Sequence, residues 1–382
     1  MSKAIYAFSG DPPTFGHLDI IKRVSSSFDH VVVGIGVNPN KIYMFSLEKR
    51  KEMTIKMVKD IPNVSVVSFD GLLIDYVYEQ EINTIIRGIR NSADLEYEQI
   101  IHEVNMAATL GENNKPHIET FCLFADPKLS HVSSSVVKAL QQESGFIQDY
   151  VPLHVKQELE KVMLNRYMLG MTGSIGAGKS YACKLIKNWC DERNIPCTYI
   201  DLDIVAKDIL NTLTEPAYVT LRNNIAQVFP GEVLQNDGFV NRQVLGDLVF
   251  ENPYYLELLN TLMAKPVLVR LSNTLRKSTG LVLLESALFA EGNITYLCNN
   301  NILYVDVNKE VQSKRLVDRN YGNDQVDRRV NSQYSLDKKI ETIEEKILQE
   351  GHGFLLKFET CPDGHLMDIG KIIEKIGYET ES

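Results

Sequence analysis

The octapeptide GSIGAGKS at positions 173–180 restricts the fold of this chain more than any other stretch. It matches GxxxxGK[ST], follows an apolar run over 167–171 and precedes a helical pattern that reaches residue 193. Between a strand and a helix, such a loop turns its backbone N–H groups toward phosphate, its lysine neutralises phosphate oxygens and its serine binds magnesium. The pattern predicts a parallel α/β sheet in the second half of the chain. The predicted nucleotide-binding residues here are Gly176, Ala177, Gly178, Lys179, Ser180 and Tyr181.

The first 165 residues alternate short apolar runs with longer amphipathic stretches. β-Branched and aromatic residues predict strands over 4–8, 31–37, 64–69, 84–87 and 118–123. Apolar residues at three- and four-residue spacing predict helices over 18–28, 47–59 and 95–110. This rhythm is typical of a parallel sheet whose strands are joined by crossover helices.

The same rhythm restarts after residue 167. Predicted strands lie over 167–171, 197–200, 281–285 and 302–307, and predicted helices over 217–228, 242–250 and 253–277. Between the halves, 155–164 lacks Gly, Ser and Pro, which predicts a closing helix instead of a flexible linker. The 382 residues are also enough for two domains. We therefore expect an α/β protein with two domains, 1–164 and 165–382.

Charge and composition exclude several classes of partner. Forty basic against fifty acidic residues leave a net charge of -10, the wrong sign for binding nucleic acid or anionic lipid over a broad face. The six cysteines form no CxxC pair and no set with zinc spacing. The N-terminus lacks the apolar core of a signal peptide, and no run reaches the roughly 18 apolar residues of a membrane span. We expect a cytoplasmic protein without nucleic-acid or membrane partners.

Three polar segments of the first half follow predicted strands. They are 9–17 (SGDPPTFGH), 87–90 (RGIR) and 130–135 (SHVSSS). Open parallel sheets bind ligands beyond the carboxyl ends of their strands, and helix N-termini and arginines there favour phosphate. Each segment also has a plain structural interpretation, because a histidine or serine at a helix start often caps it and loop arginines are usually solvated. Together they predict a phosphate-binding site.

These segments, with NPNKIYMF around Lys41 and the stretches ADLEYE and VPLHVKQEL, resemble the phosphopantetheine adenylyltransferase branch of the nucleotidyltransferase superfamily over about 3–164. The resemblance implies a Rossmann-like sheet. It implies that His17 stabilises the α-phosphate of ATP and that Lys41 bridges it to the phosphate of 4'-phosphopantetheine. The implied acceptor site consists of Ser9, Lys41, Leu73 and Arg87. The implied ATP contacts are Ser9, Gly10, His17, Gly88, Ile89, Arg90, Glu98, Leu129, Ser130, His131, Val132, Ser133, Ser134 and Ser135.

Two positions of the first segment depart from the family pattern. Ser9 replaces the commoner Thr, and Gly10 replaces the usual Phe. Because Ser9 keeps the hydroxyl group, we expect these changes to alter the affinity of the site for its substrates but not to abolish binding.

The pair Asp201 and Asp203 ends the strand predicted after the phosphate-binding loop. Two carboxylates at i and i+2 on a strand share a face, where they bind magnesium or accept a proton from a hydroxyl group. The alternative is a polar strand end that caps the following helix. We expect Ser180 and Asp201 to bind Mg2+, Asp201 to contact the acceptor, and Lys179 and Asp203 to be catalytic.

Together with GSIGAGKS, the segment DLDIVAKDIL resembles dephospho-coenzyme A kinase over about 167–376. This resemblance implies a P-loop kinase sheet with helical substrate and lid regions, and phosphorylation of a ribose 3'-hydroxyl. The implied lid covers 314–333, where Arg315, Arg319, Arg328 and Arg329 are candidates and Arg319 is the predicted ATP contact. Lys265-Pro266 replaces the family's usual His-Pro, and LESALFAE replaces its usual strand end.

The two resemblances describe consecutive reactions, because adenylylation of 4'-phosphopantetheine yields dephospho-CoA, the acceptor of the second site. Both reactions need ATP and Mg2+. The sequence leaves open feedback by CoA and homo-oligomer formation through the first domain.

Two other functions remain as alternatives. The first is a nicotinamide mononucleotide adenylyltransferase fused to a ribosylnicotinamide kinase, but that branch favours Ser-x-Thr followed by Arg where this chain has Ser133-Ser134-Ser135 followed by Val136. The second is an adenylyltransferase with a nucleotide-sensing, kinase-like domain, against which the presence of Lys179 argues.

Overall fold

The computed structural model of the protein describes residues 2–39, 41–109, 118–308, 311–312, 334–359 and 368–378. Its contacts divide the chain into two compact units, Met1–Gln142 with Phe146–Lys156 and Glu143–Gly145 with Gln157–Ser382. The predicted lid, including Arg315, Arg319, Arg328 and Arg329, lies outside the described residues. Among the described residues, no helix combines the length and the apolar character that crossing a bilayer requires.

The first unit contains a five-stranded parallel sheet. Its strands are β1 (Lys3–Phe8), β2 (His30–Ile35), β3 (Val64–Ser68), β4 (Thr84–Ile89) and β5 (Glu119–Phe124), in the order β3-β2-β1-β4-β5. Its helices are α1 (Phe15–Ser25), α2 (Leu47–Val58), α3 (Leu73–Glu79), α4 (Ser92–Thr109) and α5 (Ser134–Gln142). Helix α6 (Leu153–Leu164) belongs to this unit up to Lys156 and to the second unit from Gln157. The five predicted strands are confirmed, and so is the closing helix, now α6.

Alternate residues of β1 pack into opposite faces of this sheet. Ala4 and Tyr6 pack in one core with Ile20 of α1, whereas Ile5 packs in the other with Val77 of α3. The sheet is therefore covered on both sides, as a parallel sheet requires.

The second unit contains another five-stranded parallel sheet. Its strands are β6 (Arg166–Gly173), β7 (Cys197–Asp201), β8 (Gly280–Glu285), β9 (Asn301–Asp306) and β10 (Phe354–Glu359), in the order β10-β9-β6-β8-β7. The helices are α7 (Lys179–Asp191), α8 (Leu202–Asn211), α9 (Pro216–Val228), α10 (Arg242–Glu251), α11 (Pro253–Leu275), α12 (Leu336–Glu350) and α13 (Ile369–Lys375). The predicted fold class, α/β with two parallel sheets, is confirmed.

Helices α8 to α11 have a core of their own. Ile209 of α8, Ile225 of α9, Leu245 of α10 and Met263 of α11 belong to one buried apolar cluster, separate from the cluster around β6 and α7. The predicted helical region of the second half is therefore a packed part of the second unit.

Candidate active sites

A cavity of about 730 Å3 opens at the carboxyl ends of β1 and β4. These adjacent strands form the point where the order of the sheet reverses, because β2 and β3 lie on one side of β1 and β4 and β5 on the other. Predicted site residues that line the cavity are Ser9, Gly10, His17, Lys41, Arg87, Gly88, Arg90, Glu98, Leu129, Val132, Ser133, Ser134 and Ser135. Predicted residues outside its lining are Leu73, Ile89, Ser130 and His131. Asn38 and Tyr97 also line it; the sequence analysis included both in segments that carry the resemblance but assigned neither a role.

His17 lies in the first turn of α1 with its ring fixed on two sides. Its Nδ1 accepts the backbone N–H of Thr14 at 3.0 Å and lies 2.9 Å from the Thr14 hydroxyl oxygen. Its ring stacks on Phe8, with 4.2 Å between the ring centroids. Burial lowers the pKa of His17 to about 3, and the charges of Arg90 and Lys41 act in the same direction. The ring is therefore neutral, and because Nδ1 accepts a hydrogen bond, Nε2 carries the proton.

The two arginines of the RGIR segment form ion pairs with α4. Arg87 Nε lies 2.9 Å from a Glu98 carboxylate oxygen, and both side chains are mostly buried. Arg90 donates two hydrogen bonds to the Asp94 carboxylate, one from Nε at 2.8 Å and one from a terminal nitrogen at 3.0 Å. Burial raises the pKa of Glu98, while the charge of Arg87 opposes that shift. In the described structure both guanidinium groups are thus held at the cavity by carboxylates.

The serine segment connects α5 to the first loop. Ser133 Oγ accepts the N–H of Val136 at 3.2 Å, so it caps α5, as the structural interpretation of this segment expects. Ser134 Oγ donates to the Pro12 carbonyl at 2.8 Å. The free N–H groups at the start of α5 therefore lie beside the 9–17 loop, where an anion is favoured.

The loop before α7 has the backbone that the GxxxxGKS pattern requires. Gly173 has a φ of +147°, and a Cβ there would lie 2.1 Å from the Val305 carbonyl oxygen. Gly178 adopts a left-handed conformation before the helix begins at Lys179. Lys179 Nζ donates to the carbonyls of Gly173 and Ser174 at 3.2 Å each. Burial lowers the pKa of this lysine, and the charge of Glu285 opposes the shift.

Glu285, at the carboxyl end of β8, is a site residue that the sequence analysis did not assign. One of its oxygens accepts the Ser180 hydroxyl at 3.0 Å, and the other accepts the Tyr199 hydroxyl. The residue is only 4% exposed, and this burial raises the pKa of its carboxyl group. An acidic residue at the end of the otherwise apolar strand GLVLLE was the signal that could have identified it.

The prediction that Asp201 and Asp203 share one face of a strand is wrong. The strand ends at Asp201, and Asp203 lies in the first turn of α8. Asp201 Oδ1 accepts the N–H groups of Asp203 and Ile204 at 2.9 and 3.1 Å, so it caps the helix. Desolvation, with the charge of Asp201, raises the pKa of Asp203, and the charge of Lys179 opposes the shift. The capping interpretation is therefore correct for Asp201. Its carboxylate accepts hydrogen bonds from N–H groups of the first helical turn, which have no carbonyl partner within the helix.

The residues around Ser180 offer oxygen ligands, which Mg2+ prefers. A hydroxyl group and the carboxylates of Asp201, Asp203 and Glu285 surround the start of α7, as the hydrogen bonds and mutual charge effects of these residues indicate. Within the described ranges, no three His, Cys, Asp or Glu residues are grouped closely enough to hold a metal by themselves. The donor set therefore fits a Mg2+ ion that takes most of its ligands from water and nucleotide phosphates.

Comparisons with known proteins match the two halves separately. A family model described as cytidylyltransferase-like matches residues 9–140, and one described as dephospho-CoA kinase matches residues 167–352. The phosphopantetheine adenylyltransferase of Clostridium tetani is 42% identical over 166 residues, which are 44% of this chain and all of the relative. That of Petrotoga mobilis is 41% identical over 163 residues, 43% of this chain and 97% of the relative. The chain belongs to the phosphopantetheine adenylyltransferase family.

The adenylyltransferase relatives account for less than half of the chain, and the dephospho-CoA kinase match begins within β6. The predicted resemblance to both families is therefore confirmed. The adenylyltransferase part includes the cavity at β1 and β4, and the kinase part includes the Lys179 loop and Glu285.

Proposed function

We propose that this chain catalyses two consecutive reactions of coenzyme A biosynthesis. The adenylyltransferase part transfers AMP from ATP to 4'-phosphopantetheine, giving dephospho-CoA and pyrophosphate. The kinase part then transfers the γ-phosphoryl group of a second ATP to the ribose 3'-hydroxyl of dephospho-CoA. The observation that carries the proposal is the match of one chain to two families, of which the first makes the acceptor of the second. We assign the two reactions to residues 1–164 and 165–382.

In the first reaction, a phosphate oxygen of the acceptor attacks the α-phosphorus of ATP, and the bond to the bridging oxygen of pyrophosphate breaks. The neutral His17 ring donates from Nε2 to a non-bridging α-phosphate oxygen, where negative charge increases in the transition state. Lys41 and Arg87 bind the acceptor phosphate, and Arg90 binds ATP. No protein nucleophile is needed, because alignment and charge neutralisation lower the barrier.

Arg87 and Arg90 must exchange partners when substrates bind. Their guanidinium groups pair with Glu98 and Asp94 in the described structure, and planar guanidinium suits bidentate contact with phosphate equally well. Pairing to a carboxylate also keeps the buried Arg87 charge compensated before the acceptor arrives. We infer that the acceptor phosphate displaces Glu98 from Arg87. The Glu98 carboxylate is then available as a contact for ATP.

In the second reaction, Lys179 moves from the carbonyls of Gly173 and Ser174 to the β- and γ-phosphate oxygens. Ser180 and Asp201 would hold Mg2+, which would supply charge neutralisation at the phosphates. Asp203 accepts the proton of the ribose 3'-hydroxyl group, and the oxygen then attacks the γ-phosphorus while ADP leaves. The contact of Arg319 with ATP stays a prediction.

Exposed apolar side chains on α4 and β5 favour a homo-oligomer through the adenylyltransferase part. Strand β5 is at the edge of its sheet, where unpaired backbone groups and apolar side chains are usually covered. The side chains concerned are Leu95, Tyr97, Ile100, Val104, Phe121 and Phe124.

We also propose that CoA, which contains both the pantetheine arm and the adenylate, competes with the substrates for the cavity at β1 and β4. The acidic net charge supports a protein that binds neither nucleic acid nor a membrane surface, and we propose that it is cytoplasmic.

The test is direct synthesis. Purified protein is incubated with ATP, Mg2+ and 4'-phosphopantetheine, and the products are weighed by mass spectrometry. We expect dephospho-CoA and pyrophosphate first and CoA afterwards, and neither without Mg2+. Accumulation of dephospho-CoA alone would favour the nucleotide-sensing alternative for the kinase part. Adenylylation of nicotinamide mononucleotide in preference to 4'-phosphopantetheine would overturn the proposal.

A further inference from the structure

The residues around Lys41 must be held at the cavity without regular secondary structure. The described residues between the end of β2 and the start of α2 form no helix or strand. Lys41 is exposed, and the side chain of Ile42 is 99% exposed, so neither packs against the sheet. The position of the Lys41 ammonium group therefore depends on the contacts of its neighbours.

The carboxyl-terminal side of this segment is fixed by Asp11. The Asp11 carboxylate accepts the N–H groups of Met44 and Phe45 at 3.1 and 3.0 Å. It also accepts Lys138 Nζ at 3.0 Å, which compensates a charge that is only 6% exposed. These bonds fix the segment from residue 44 onward but leave the three residues before it to other contacts.

Tyr43 connects the segment around Lys41 back to Asn38. Its hydroxyl oxygen accepts the backbone N–H of Asn38 at 2.6 Å, and the N–H of Lys41 donates to the Asn38 carbonyl at 3.0 Å. The same hydroxyl group lies 3.5 Å from the Ser9 Oγ, across from the segment. The Tyr43 hydroxyl group also lies 3.5 Å from the Asn38 carbonyl, so its proton has two acceptors at equal distance, that carbonyl and Ser9 Oγ, while Ser9 can equally donate to Tyr43.

The ring of Tyr43 is held in turn by Arg50. The guanidinium carbon lies 4.0 Å from the ring centroid, a cation–π contact. Arg50 is 1% exposed and donates to the carbonyls of Ser9 and Gly36 at the ends of β1 and β2. One buried side chain therefore fixes both the backbone of Ser9 and the aromatic ring whose hydroxyl group reaches the Ser9 side chain.

We propose that Tyr43 is a positioning residue for the acceptor phosphate in adenylyl transfer. Its hydroxyl group orients the Ser9 hydroxyl and holds the Lys41 segment, and both Ser9 and Lys41 line the cavity. The proposal rests on the proposed function, since it takes Ser9 and Lys41 as acceptor contacts. Without the Tyr43 hydroxyl group, Ser9 Oγ loses one neighbour that orients it, and the bond from the Asn38 N–H to Tyr43 is lost.

The test is Tyr43→Phe, which keeps the ring over Arg50 and removes only the hydroxyl group. We expect the KM for 4'-phosphopantetheine to rise about threefold to tenfold, the range of one neutral hydrogen bond, while kcat changes less than about twofold and the KM for ATP, which Ser9 is also expected to contact, rises less than the acceptor KM. The matched control is Tyr78→Phe on α3, whose side chain is 47% exposed and lies outside the cavity lining, and which should leave all constants unchanged.

A double substitution separates positioning from general destabilisation. If Tyr43 acts partly through Ser9, then Tyr43→Phe in a Ser9→Ala background should raise the acceptor KM less than it does in the wild-type background, because only the bond to Asn38 is then left to lose. A fully additive rise, an equal rise in the KM for ATP, or no rise in the single variant would each overturn the proposal. A wild-type protein that makes no dephospho-CoA would instead contradict the proposed function, so the two failures are distinguishable.

Discussion

At the scale of single residues, His17 shows how the fold sets a protonation state. The backbone N–H of Thr14 occupies Nδ1, so protonation there would break a hydrogen bond, and burial opposes a charged ring. A neutral ring donates from Nε2 without adding a cation next to Lys41 and Arg90. This arrangement leaves the charge of the two basic side chains for the phosphates.

We predict that the ligand-free His17 ring stays neutral between pH 8 and pH 5. Its folded pKa of about 3 is below the ordinary 6.5, so its stabilising contribution is complete above pH 6.5 and is lost as the pH falls toward 3. Nitrogen-15 NMR of labelled histidine should show the Nε2–H tautomer at pH 5, and His17→Asn identifies the signal. A ring that takes up a proton near pH 6.5 would contradict the prediction.

We predict that Arg87→Ala weakens use of 4'-phosphopantetheine more than use of ATP. A charge-assisted hydrogen bond is worth about 1.5–3 kcal/mol, so the acceptor KM should rise roughly tenfold to a hundredfold. Steady-state kinetics with each substrate varied in turn measures the difference. The matched control is Arg23→Ala, which breaks an ion pair with Asp19 on α1 away from the cavity. Equal losses for both substrates would rule out Arg87 as an acceptor contact.

At the scale of elements, the junction of β7 and α8 gives Asp201 two separable roles. Its carboxylate caps α8 through the N–H groups of Asp203 and Ile204, and we assign it to Mg2+ as well. We predict that Asp201→Asn keeps the thermal stability, because asparagine is an equally good cap, but lowers kinase turnover about a hundredfold. Asp201→Ala should lose the same activity and also about 1 kcal/mol of stability. Calorimetry and kinase assays on both variants test this, and equal stability of the two would contradict the capping role.

The start of α7 and the end of β8 act together in the kinase part. Glu285 accepts a hydrogen bond from the Ser180 hydroxyl group, which would leave the lone pairs of that hydroxyl oxygen for a metal. We predict that Glu285→Gln weakens Mg2+-dependent binding of ADP about tenfold, while binding of ADP without Mg2+ changes little. Calorimetric titration with and without Mg2+ measures both, and Glu232→Gln, an exposed residue of the same unit, is the control. Equal weakening under both conditions would exclude a role toward the metal.

The elements that the sequence predicted share strong periodic patterns. The apolar runs of β1 to β4 were predicted because burial in the sheet dictates their residues. Helix α11, which contains Pro266, was predicted as well, although only Met263, Leu271 and Leu275 of it are buried. Helix α3 has seven residues, too few to show a period, and β10 alternates apolar with charged residues at Lys357 and Glu359. Neither was predicted.

The candidate sites were predictable only as far as topology determines them. Parallel strands bring their carboxyl ends together, so the 9–17, 87–90 and 130–135 segments could be expected to meet. Side-chain contacts between residues that are far apart in the sequence could not be predicted in this way. Ser180 with Glu285 joins positions 105 apart, and Arg50 reaches Ser9 across 41 positions. The prediction for Asp203 was wrong for the opposite reason, because the local strand pattern was extended two residues beyond the end of β7 at Asp201.

At the scale of the whole molecule, the acidic net charge contrasts with the chemistry of the sites. The chain carries a charge of -10, yet the cavity at β1 and β4 brings together the cations Lys41, Arg87 and Arg90. The second candidate site has a different balance, with Lys179 near the carboxylates of Asp201, Asp203 and Glu285. A local cluster of cations favours phosphate, while the net charge repels large polyanions. His17 and Lys179 belong to different compact units and different sheets. The two activities should therefore be separable by substitution.

We predict that His17→Ala abolishes pyrophosphate release from ATP and 4'-phosphopantetheine but leaves phosphorylation of supplied dephospho-CoA nearly intact. Lys179→Ala should do the reverse, with dephospho-CoA as its end product. Each residue acts where charge develops in its own transition state, so each loss should be about a hundredfold to a thousandfold in rate. Coupled assays for pyrophosphate and ADP, with products weighed by mass spectrometry, measure both activities in both variants.

Mixing the two variants completes this test, because the intermediate can leave one protein and enter the other. The Lys179→Ala protein should release dephospho-CoA, and the His17→Ala protein should convert it to CoA, so the mixture regains full conversion that neither variant achieves alone. The control is a mixture of Lys179→Ala with protein that carries both substitutions, which should stop at dephospho-CoA. If either single substitution removes both activities while circular dichroism shows a folded protein, the reactions share one nucleotide site, and the assignment of one reaction to each unit is wrong.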